Sequence, residues 1–333
     1  MTMKALLCEQ PGTLTLTERP RPAAAAGKLR VKVEYIGICG TDYHIYGGQQ
    51  PFLQYPRVMG HELSGRAMEA SADGRIKEGD LVVVNPYLVC GTCHACEIGK
   101  PNCCQNIAVL GVHTDGGMCE EIVVPEANLY PVEGMEAKAA AMVEFLAIGA
   151  HGVRRSKLAK GSKALVVGAG PIGIGAALFA AIEGAEITLK DTSEARLALA
   201  AKVLPSAKTE LAKPADQSDD LLSYDTVFDA TGNIHAMNAG LNYLAHGGSY
   251  VLLSVVKGDL SFADPEFHKR ETTLIGSRNA LKADFDHVLA CIRDGLVPSD
   301  ALATHETSFE DAVTNLPEWA NDRGTLIKAL IRV

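Results

Sequence analysis

The hexapeptide Gly168-Ala169-Gly170-Pro171-Ile172-Gly173 most narrows the folds open to this chain. Alone, a G-x-G-x-x-G run is a weak signal, and in an Ala- and Gly-rich segment it could reflect loop chemistry or close helix packing. Its neighbours supply the missing context. Lys163–Gly168 reads as a buried strand, Pro171–Glu183 as an Ala-rich helix, Glu186–Lys190 as a second strand and Ser193–Val203 as a second helix. Asp225–Asp229 and Ser249–Leu253 continue the series as strand candidates separated by helical sequence. Strand and helix in alternation predict an α/β architecture, a doubly wound parallel sheet with helices on both faces.

That turn has a specific use. Gly168 permits the tight turn, Gly170 lets backbone approach a pyrophosphate, and Gly173 lets helix and strand pack closely. With Pro171 and Ile172 opening the helix, the pyrophosphate would sit at its positive N-terminus. Asp191 closes the second strand 18 residues after Gly173. Its carboxylate can accept both ribose hydroxyls and would repel a 2′-phosphate, which favours NAD over NADP. Lys190 and Arg196 stand beside it, and either could offset a phosphate.

A second stretch points to a metal. Cys90-Gly91-Thr92-Cys93-His94-Ala95-Cys96 is followed eight residues later by Cys104. Thiols at spacings of three, three and eight can close on one tetrahedral ion. An all-sulfur shell suits a structural Zn²⁺ with no position left for substrate. A redox pair or a disulfide knot are the plainer alternatives.

Composition sets outer limits. The 333 residues, 47% apolar and 21% charged, suffice for two domains and a large core. A formal charge of −9 argues against nucleic acid as a partner. No apolar run approaches the roughly 20 residues of a membrane span, and the apolar region near Met1–Cys8 is too short for a signal peptide. Nine cysteines, an odd number with four at metal spacing, favour the cytoplasm.

Up to about residue 140 the chain reads as short strands punctuated by Gly and Pro. Leu29–Tyr35 alternates apolar and charged residues, Val58–Met68 holds another strand, and Leu81–Val84 is a brief buried one. After about residue 280 the pattern turns mixed again and ends in a strand, Thr325–Val333. A nucleotide domain inserted between two pieces of a β-rich domain accounts for this order.

Within the β-rich part, Cys39-Gly40-Thr41-Asp42-Tyr43-His44 follows one strand and Gly60-His61-Glu62 opens the next. A zinc that does chemistry takes three protein ligands of mixed type and keeps a position open. Cys39 and His61 would be two of them, with Glu62 or Glu144 the carboxylate. Singly they read as a small buried thiol, a core histidine and a surface charge. A nicotinamide site, which needs a Lewis acid or a proton relay, favours the joint reading.

In this order, these segments resemble the zinc-dependent medium-chain dehydrogenases, from Lys4 to the final strand. The resemblance implies a GroES-like catalytic domain over 1–143 with a zinc lobe at 88–105, a Rossmann NAD-binding domain over 144–278, and a return to the catalytic domain over 279–333. It implies two zinc ions per subunit. Cys39, His61 and Glu62 would hold the catalytic ion, and Cys90, Cys93, Cys96 and Cys104 the structural one. Glu144, in Val143-Glu144-Phe145-Leu146, stands where the polyol and threonine dehydrogenases carry a ligand or near-ligand glutamate and the ethanol-type branch carries a cysteine. Phe145 replaces the proline usual after it. In the implied chemistry zinc polarises a hydroxyl, Thr41 takes its proton, His44 relays it outward, and Asp42 hydrogen-bonds His61. A quinone or enone reductase of the same fold would lack the catalytic ligands, and a non-catalytic relative would have lost one of them or Thr41.

Tyr55–Glu62, Leu110–Gly117 and Ile275–Ala280 further resemble the dehydrogenases of sugar acids such as L-galactonate, L-gulonate and L-idonate. A neutral polyol or sugar, or threonine, are the alternative substrates. An aldonate needs a cation for its carboxylate, best an arginine making two parallel hydrogen bonds. Arg278 is the candidate, with Asn279 and His113 as hydroxyl partners. The family implies a homo-oligomer, tetramer or dimer, and the apolar Ser249-Tyr250-Val251-Leu252-Leu253 is expected to be the sheet edge that pairs across a two-fold axis.

Overall fold

Alternation along Lys28–Ile38 gives the first part of the chain its spine: Leu29, Val31 and Val33 turn inward while Lys28 and Lys32 face water. This strand pairs antiparallel with Glu62–Ala67, Glu121–Pro125 and the C-terminal Lys328–Arg332. The seven-stranded sheet continues outward through Leu81–Val84 to Leu129–Pro131 on one side and to Ala303–Ser308 on the other. A three-stranded sheet of Thr13–Pro20, Thr2–Gln10 and Arg57–Val58 shares its core, which joins Ala5 and Leu6 to Ile36, Met118 and Ile331. Strand register gathers distant residues at one end of the larger sheet. Gly37 pairs with Glu62 and Ile38 with Ala329, so Cys39, His61 and Lys328 emerge at neighbouring ends of three strands.

The computed structural model describes residues 1–50, 53–213, 217–321 and 324–333. They form two compact units. One contains Met1–Glu144, Leu289–Gly295 and Leu302–Val333; the other contains Phe145–Val288 and Leu296–Ala301. Among the described residues no helix is long and apolar enough to cross a membrane.

The second unit holds a six-stranded, all-parallel sheet in the order Lys208–Leu211, Glu186–Asp191, Lys163–Val167, Tyr224–Asp229, Leu244–Leu252 and Thr273–Gly276. Strand order reverses at Lys163–Val167, the switch point where such folds place ligands. The helices Pro171–Ile182 and Glu194–Val203 fall where the sequence predicts them. Ser249–Leu253 does not form the sheet edge. It belongs to Leu244–Leu252, flanked by strands on both sides, with Tyr250 and Val251 fully buried. A near-continuous apolar run marks an interior parallel strand, covered on both faces. The edge is Thr273–Gly276, whose Thr273, Leu274 and Gly276 are exposed.

Candidate active site and metal centres

Where Lys28–Ile38 ends, the chain turns through Cys39 into the short helix Gly40–Tyr46. Asp42, fully buried in its first turn, accepts the Cys39 N–H on Oδ2 at 2.9 Å and the Gly60 N–H on Oδ1 at 3.2 Å. It thereby ties the loop bearing Cys39 to the loop bearing His61. The expected hydrogen bond from the His61 ring to Asp42 is not formed. Nδ1 stands 3.9 Å from Oδ1, beyond hydrogen-bond range, because both Asp42 oxygens are turned to backbone amides.

The ligand atoms of Cys39, His61 and Glu62 all lie within 4.8 Å of one another. His61, Glu62 and Glu144 are buried and Cys39 half-buried. Gly37 makes room for Glu62, since a Cβ there would come within 2.2 Å of its Oε2. Burial pushes the Glu144 carboxyl up to about 7, against the pull of His61, and the Glu62 charge adds to the rise. Burial pulls His61 down, but the charges of Asp42 and Cys39 outweigh it and raise its proton affinity well above the usual value. Both shifts describe a dry site crowded with negative charge. His61 Nδ1 and Glu144 Oε2 are buried with no hydrogen-bond partner. A thiol, an imidazole and carboxylates in that state fit zinc.

Two residues here escape a reading of the sequence. The Lys328 ammonium, 1% exposed, sits 2.7 Å from each Glu62 oxygen and donates to the Ile38 carbonyl at 3.2 Å. A lysine interrupting the apolar run Leu326-Ile327-Lys328-Ala329-Leu330-Ile331 is the signal that could have found it. Tyr87, also buried, donates its hydroxyl to Glu144 Oε1. Nothing local announces that contact across 57 residues. Thr41, half-buried, and His44, exposed, lie three residues apart on the helix and so share a side.

In the lobe, Gly91 and Gly99 take φ of +74° and +75°, bending the chain around a short helix, His94–Glu97. The Sγ separations are 3.6 Å for Cys93 and Cys96, 3.9 Å for Cys93 and Cys104, and 3.5 Å for Cys90 and Cys104. These match the edge of about 3.8 Å for a tetrahedron whose corners lie about 2.3 Å from a central zinc. They are far too long for disulfides, and every cysteine is free. The amides of Cys90 and Gln105 donate to Cys104 Sγ and Cys93 Sγ at 3.4 and 3.5 Å. The Thr92 amide, helped by Cys104, draws the Cys90 thiol down to about 5. Such donors favour thiolate, the form that binds metal.

At the nucleotide turn, Gly168 has φ +102° and a Cβ there would meet the Ala230 carbonyl at 2.9 Å. A Cβ on Gly173 would lie 1.8 Å from the Gly168 carbonyl oxygen, whereas Gly170 faces open space at the head of Pro171–Ile182. The helix therefore packs on the turn while Gly170, Pro171 and Ile172 leave its N-terminus approachable, which fits a dinucleotide. Asp191 accepts the Ala169 and Ser193 amides at 2.7 and 2.8 Å, with the half-buried Arg196 guanidinium 3.9 Å away. Lys190 is not available to a phosphate. It turns to the other face of the strand, where Asp220 at 2.7 Å, Glu210 at 3.4 Å and the Tyr243 ring at 4.6 Å hold its ammonium.

The expected substrate residues are divided between the two units. His113 is exposed, and its Nδ1 accepts the Val109 amide at 3.1 Å, a turn-capping role. Arg278 is exposed just beyond Thr273–Gly276, and Asn279 adopts φ +52°. These two belong to the second unit, His113 and the Cys39 cluster to the first.

Fold and site together define a metal-bearing, nucleotide-binding oxidoreductase, and comparison with known proteins agrees. Residues 25–134 match the alcohol dehydrogenase GroES-like domain and residues 171–294 the zinc-binding dehydrogenase domain. The chain belongs to the zinc-binding alcohol dehydrogenase family. It is 43% identical to L-galactonate-5-dehydrogenase of Escherichia coli K12, with 99% of each chain covered. It is 33% identical to 2-dehydro-3-deoxy-L-galactonate 5-dehydrogenase of Pseudoalteromonas atlantica over 83% of each. Among solved structures, the rspB alcohol dehydrogenase of E. coli CFT073, complexed with NADH, is similar at a TM-score of 0.91 and 29% identity, covering 100% of this chain and 99% of that one.

Proposed function

We propose that this protein oxidises a secondary alcohol of a sugar acid, an aldonate of the L-galactonate, L-gulonate or L-idonate kind, and passes the hydride to NAD. The end-to-end likeness to L-galactonate-5-dehydrogenase carries this reading. Cys39, His61 and a carboxylate, Glu62 or Glu144, hold a catalytic zinc. That ion, when bound, supplies the Lewis acidity that polarises the substrate hydroxyl. Thr41 accepts the hydroxyl proton, and His44, exposed on the same side of the helix, hands it to solvent. Asp42 acts by fixing the Cys39 and His61 loops rather than by touching His61. Cys90, Cys93, Cys96 and Cys104 hold a second, structural zinc.

Gly168, Gly170, Pro171, Ile172 and Gly173 receive the pyrophosphate, Asp191 the adenosine ribose, and Arg196 flanks it. Engagement of Lys190 by Asp220 and Glu210 supports NAD over NADP. Arg278 and Asn279 take the aldonate carboxylate and a hydroxyl, with His113 a lesser contributor. The free state of all nine cysteines supports a cytoplasmic setting. The exposed strand Thr273–Gly276, which ends its sheet, supports association into a homodimer or tetramer.

The test is NADH formation at mildly alkaline pH against L-galactonate, L-gulonate and L-idonate, their matched polyols and L-threonine. Turnover confined to an aldonate is expected. Turnover of neutral polyols alone would discard the carboxylate reading while keeping the dehydrogenase.

A further inference from the structure

Asp229, fully buried at the end of Tyr224–Asp229, is held by two hydroxyls and an amide rather than by a cation. Its Oδ1 accepts the Thr231 amide, the Thr231 hydroxyl and the Ser254 hydroxyl, each at 3.0 Å. Ser254 stands just beyond Leu244–Leu252, the neighbouring strand. Each hydroxyl in turn accepts an amide of the loop that follows Asp229. Thr231 Oγ1 takes the Asn233 N–H at 3.1 Å, and Ser254 Oγ takes the Gly232 N–H at 3.0 Å. One carboxylate thus fixes the consecutive amides of Thr231, Gly232 and Asn233, the first directly and the others through hydroxyls. Burying a charge without a counter-ion is costly, and hydrogen bonds to an ionised acceptor are the strong kind that can offset it.

The loop held in this way walls the nucleotide turn. A Cβ on Gly168 would meet the Ala230 carbonyl at 2.9 Å and the Thr231 nitrogen at 3.2 Å, and a Cβ on Gly173 would meet the Ala230 Cβ at 3.3 Å. Asp191 anchors the turn from one side of the switch strand Lys163–Val167, through the Ala169 amide. The Asp229 loop stands on the other side, at the end of the strand paired there. Dinucleotide folds place one mononucleotide on each side of such a reversal. With the adenosine ribose at Asp191, the Asp229 side is left for the nicotinamide half.

We propose that Asp229 is a positioning residue for the nicotinamide half of the cofactor: through the hydroxyls of Thr231 and Ser254 it holds loop 230–233 in the shape against which that half lies. The inference rests on the proposed nucleotide turn at Gly168–Gly173 with adenosine at Asp191. Asp229 acts through the loop, since its carboxylate is itself fully buried.

The experiment measures the dissociation constants of NADH and of ADP by calorimetry on the full-length protein. ADP carries the adenosine and the diphosphate but no nicotinamide. Thr231→Val and Ser254→Ala should each weaken NADH about 10-fold, the loss of one hydrogen bond to a charged group, and leave ADP affinity near wild type. Asp229→Ala should weaken NADH further. Asp229→Asn, which keeps an acceptor, should weaken it less than Asp229→Ala, and Thr231→Ser should bind as wild type does. NADH held at wild-type affinity by either Thr231→Val or Ser254→Ala would overturn the proposal, even should Asp229→Ala fail to fold. Equal losses of NADH and ADP would also overturn it, because they report a general loosening of the turn. Asp191→Ala checks the underlying reading and should weaken both ligands together. If it changes neither, the nucleotide turn is misassigned, and this inference falls with it.

Discussion

The two metal centres of this chain are built in opposite ways. In the lobe, four like ligands lie within fifteen residues, 90–104, and their spacing is set by local turns and amides. At the Cys39 cluster, unlike candidate ligands stand on segments far apart in sequence and meet Asp42, Tyr87 and Lys328, themselves deeply buried. The lobe has few buried side chains of its own, so an ion bound there would add its binding free energy to folding. The cluster stands on a seven-stranded sheet with a large apolar core of its own. Zinc at the first centre should therefore govern stability, and zinc at the second should govern chemistry.

Four substitutions put this contrast at risk. The largest effect is expected for Cys39→Ser, which should lower kcat/KM by about 10⁴-fold or more, on the order of 5 kcal/mol of lost transition-state stabilisation. Its thermal midpoint and NAD affinity should stay near wild type; a variant that unfolds would place Cys39 with the lobe. Next comes Lys328→Ala, which leaves the Glu62 charge buried and unpaired and should cost about 3–5 kcal/mol in urea unfolding. Combining it with Glu62→Gln should restore most of that. Cys93→Ser should cost about 3 kcal/mol through loss of the lobe ion while folded molecules keep their kcat; a selective loss of kcat with unchanged stability would reverse the contrast.

The smallest effect concerns a buried charged cluster that needs no metal. Asp284 accepts Arg154 Nε at 2.7 Å and the Leu281 amide at 2.8 Å, and its Oδ2 lies 2.8 Å from His151 Nδ1. Burial works against ionisation there, but His151 and Arg154 prevail and hold Asp284 down at about 2. Because its folded pKa is depressed, its stabilisation is complete above about pH 4 and disappears as pH falls towards about 2. Asp284→Asn should cost about 2 kcal/mol at neutral pH, lose most of that difference in acid, and respond to chelator as wild type does. Acid unfolding that ignores the substitution would remove Asp284 from the stabilising groups.

The same contrast explains how much can be read from the sequence. The lobe cysteines and the Gly168–Gly173 turn are contiguous, so spacing alone states their geometry. Cys39, His61 and Glu144 are legible as residue types of a resembling family, whereas their supports are not. Tyr87 meets its partner 57 residues on and Lys328 meets Glu62 across 266, distances over which no periodicity speaks. Lys328 leaves a faint trace as a charge within an apolar strand, and Tyr87 leaves none. Elsewhere the sequence misleads because a side chain is judged without its surroundings. The apolar Ser249–Leu253 suggests a pairing edge, although apolarity on both faces marks the interior. Asp42 read alone is open to His61, yet two loop amides already take its oxygens. Lys190 looks open to a phosphate, yet Asp220, thirty residues on, already holds it.

The most direct test of the two-centre account is zinc K-edge X-ray absorption on wild type and on Cys39→Ser, read as the mean number of sulfur neighbours per zinc. Five thiolates shared between two ions give a mean of about two and a half in wild type, the remaining neighbours being nitrogen and oxygen. The Cys39→Ser protein, keeping only its lobe ion, should rise to about four. A mean that does not change between the two proteins, or a wild type already at four, would contradict a mixed-ligand zinc at Cys39 and His61.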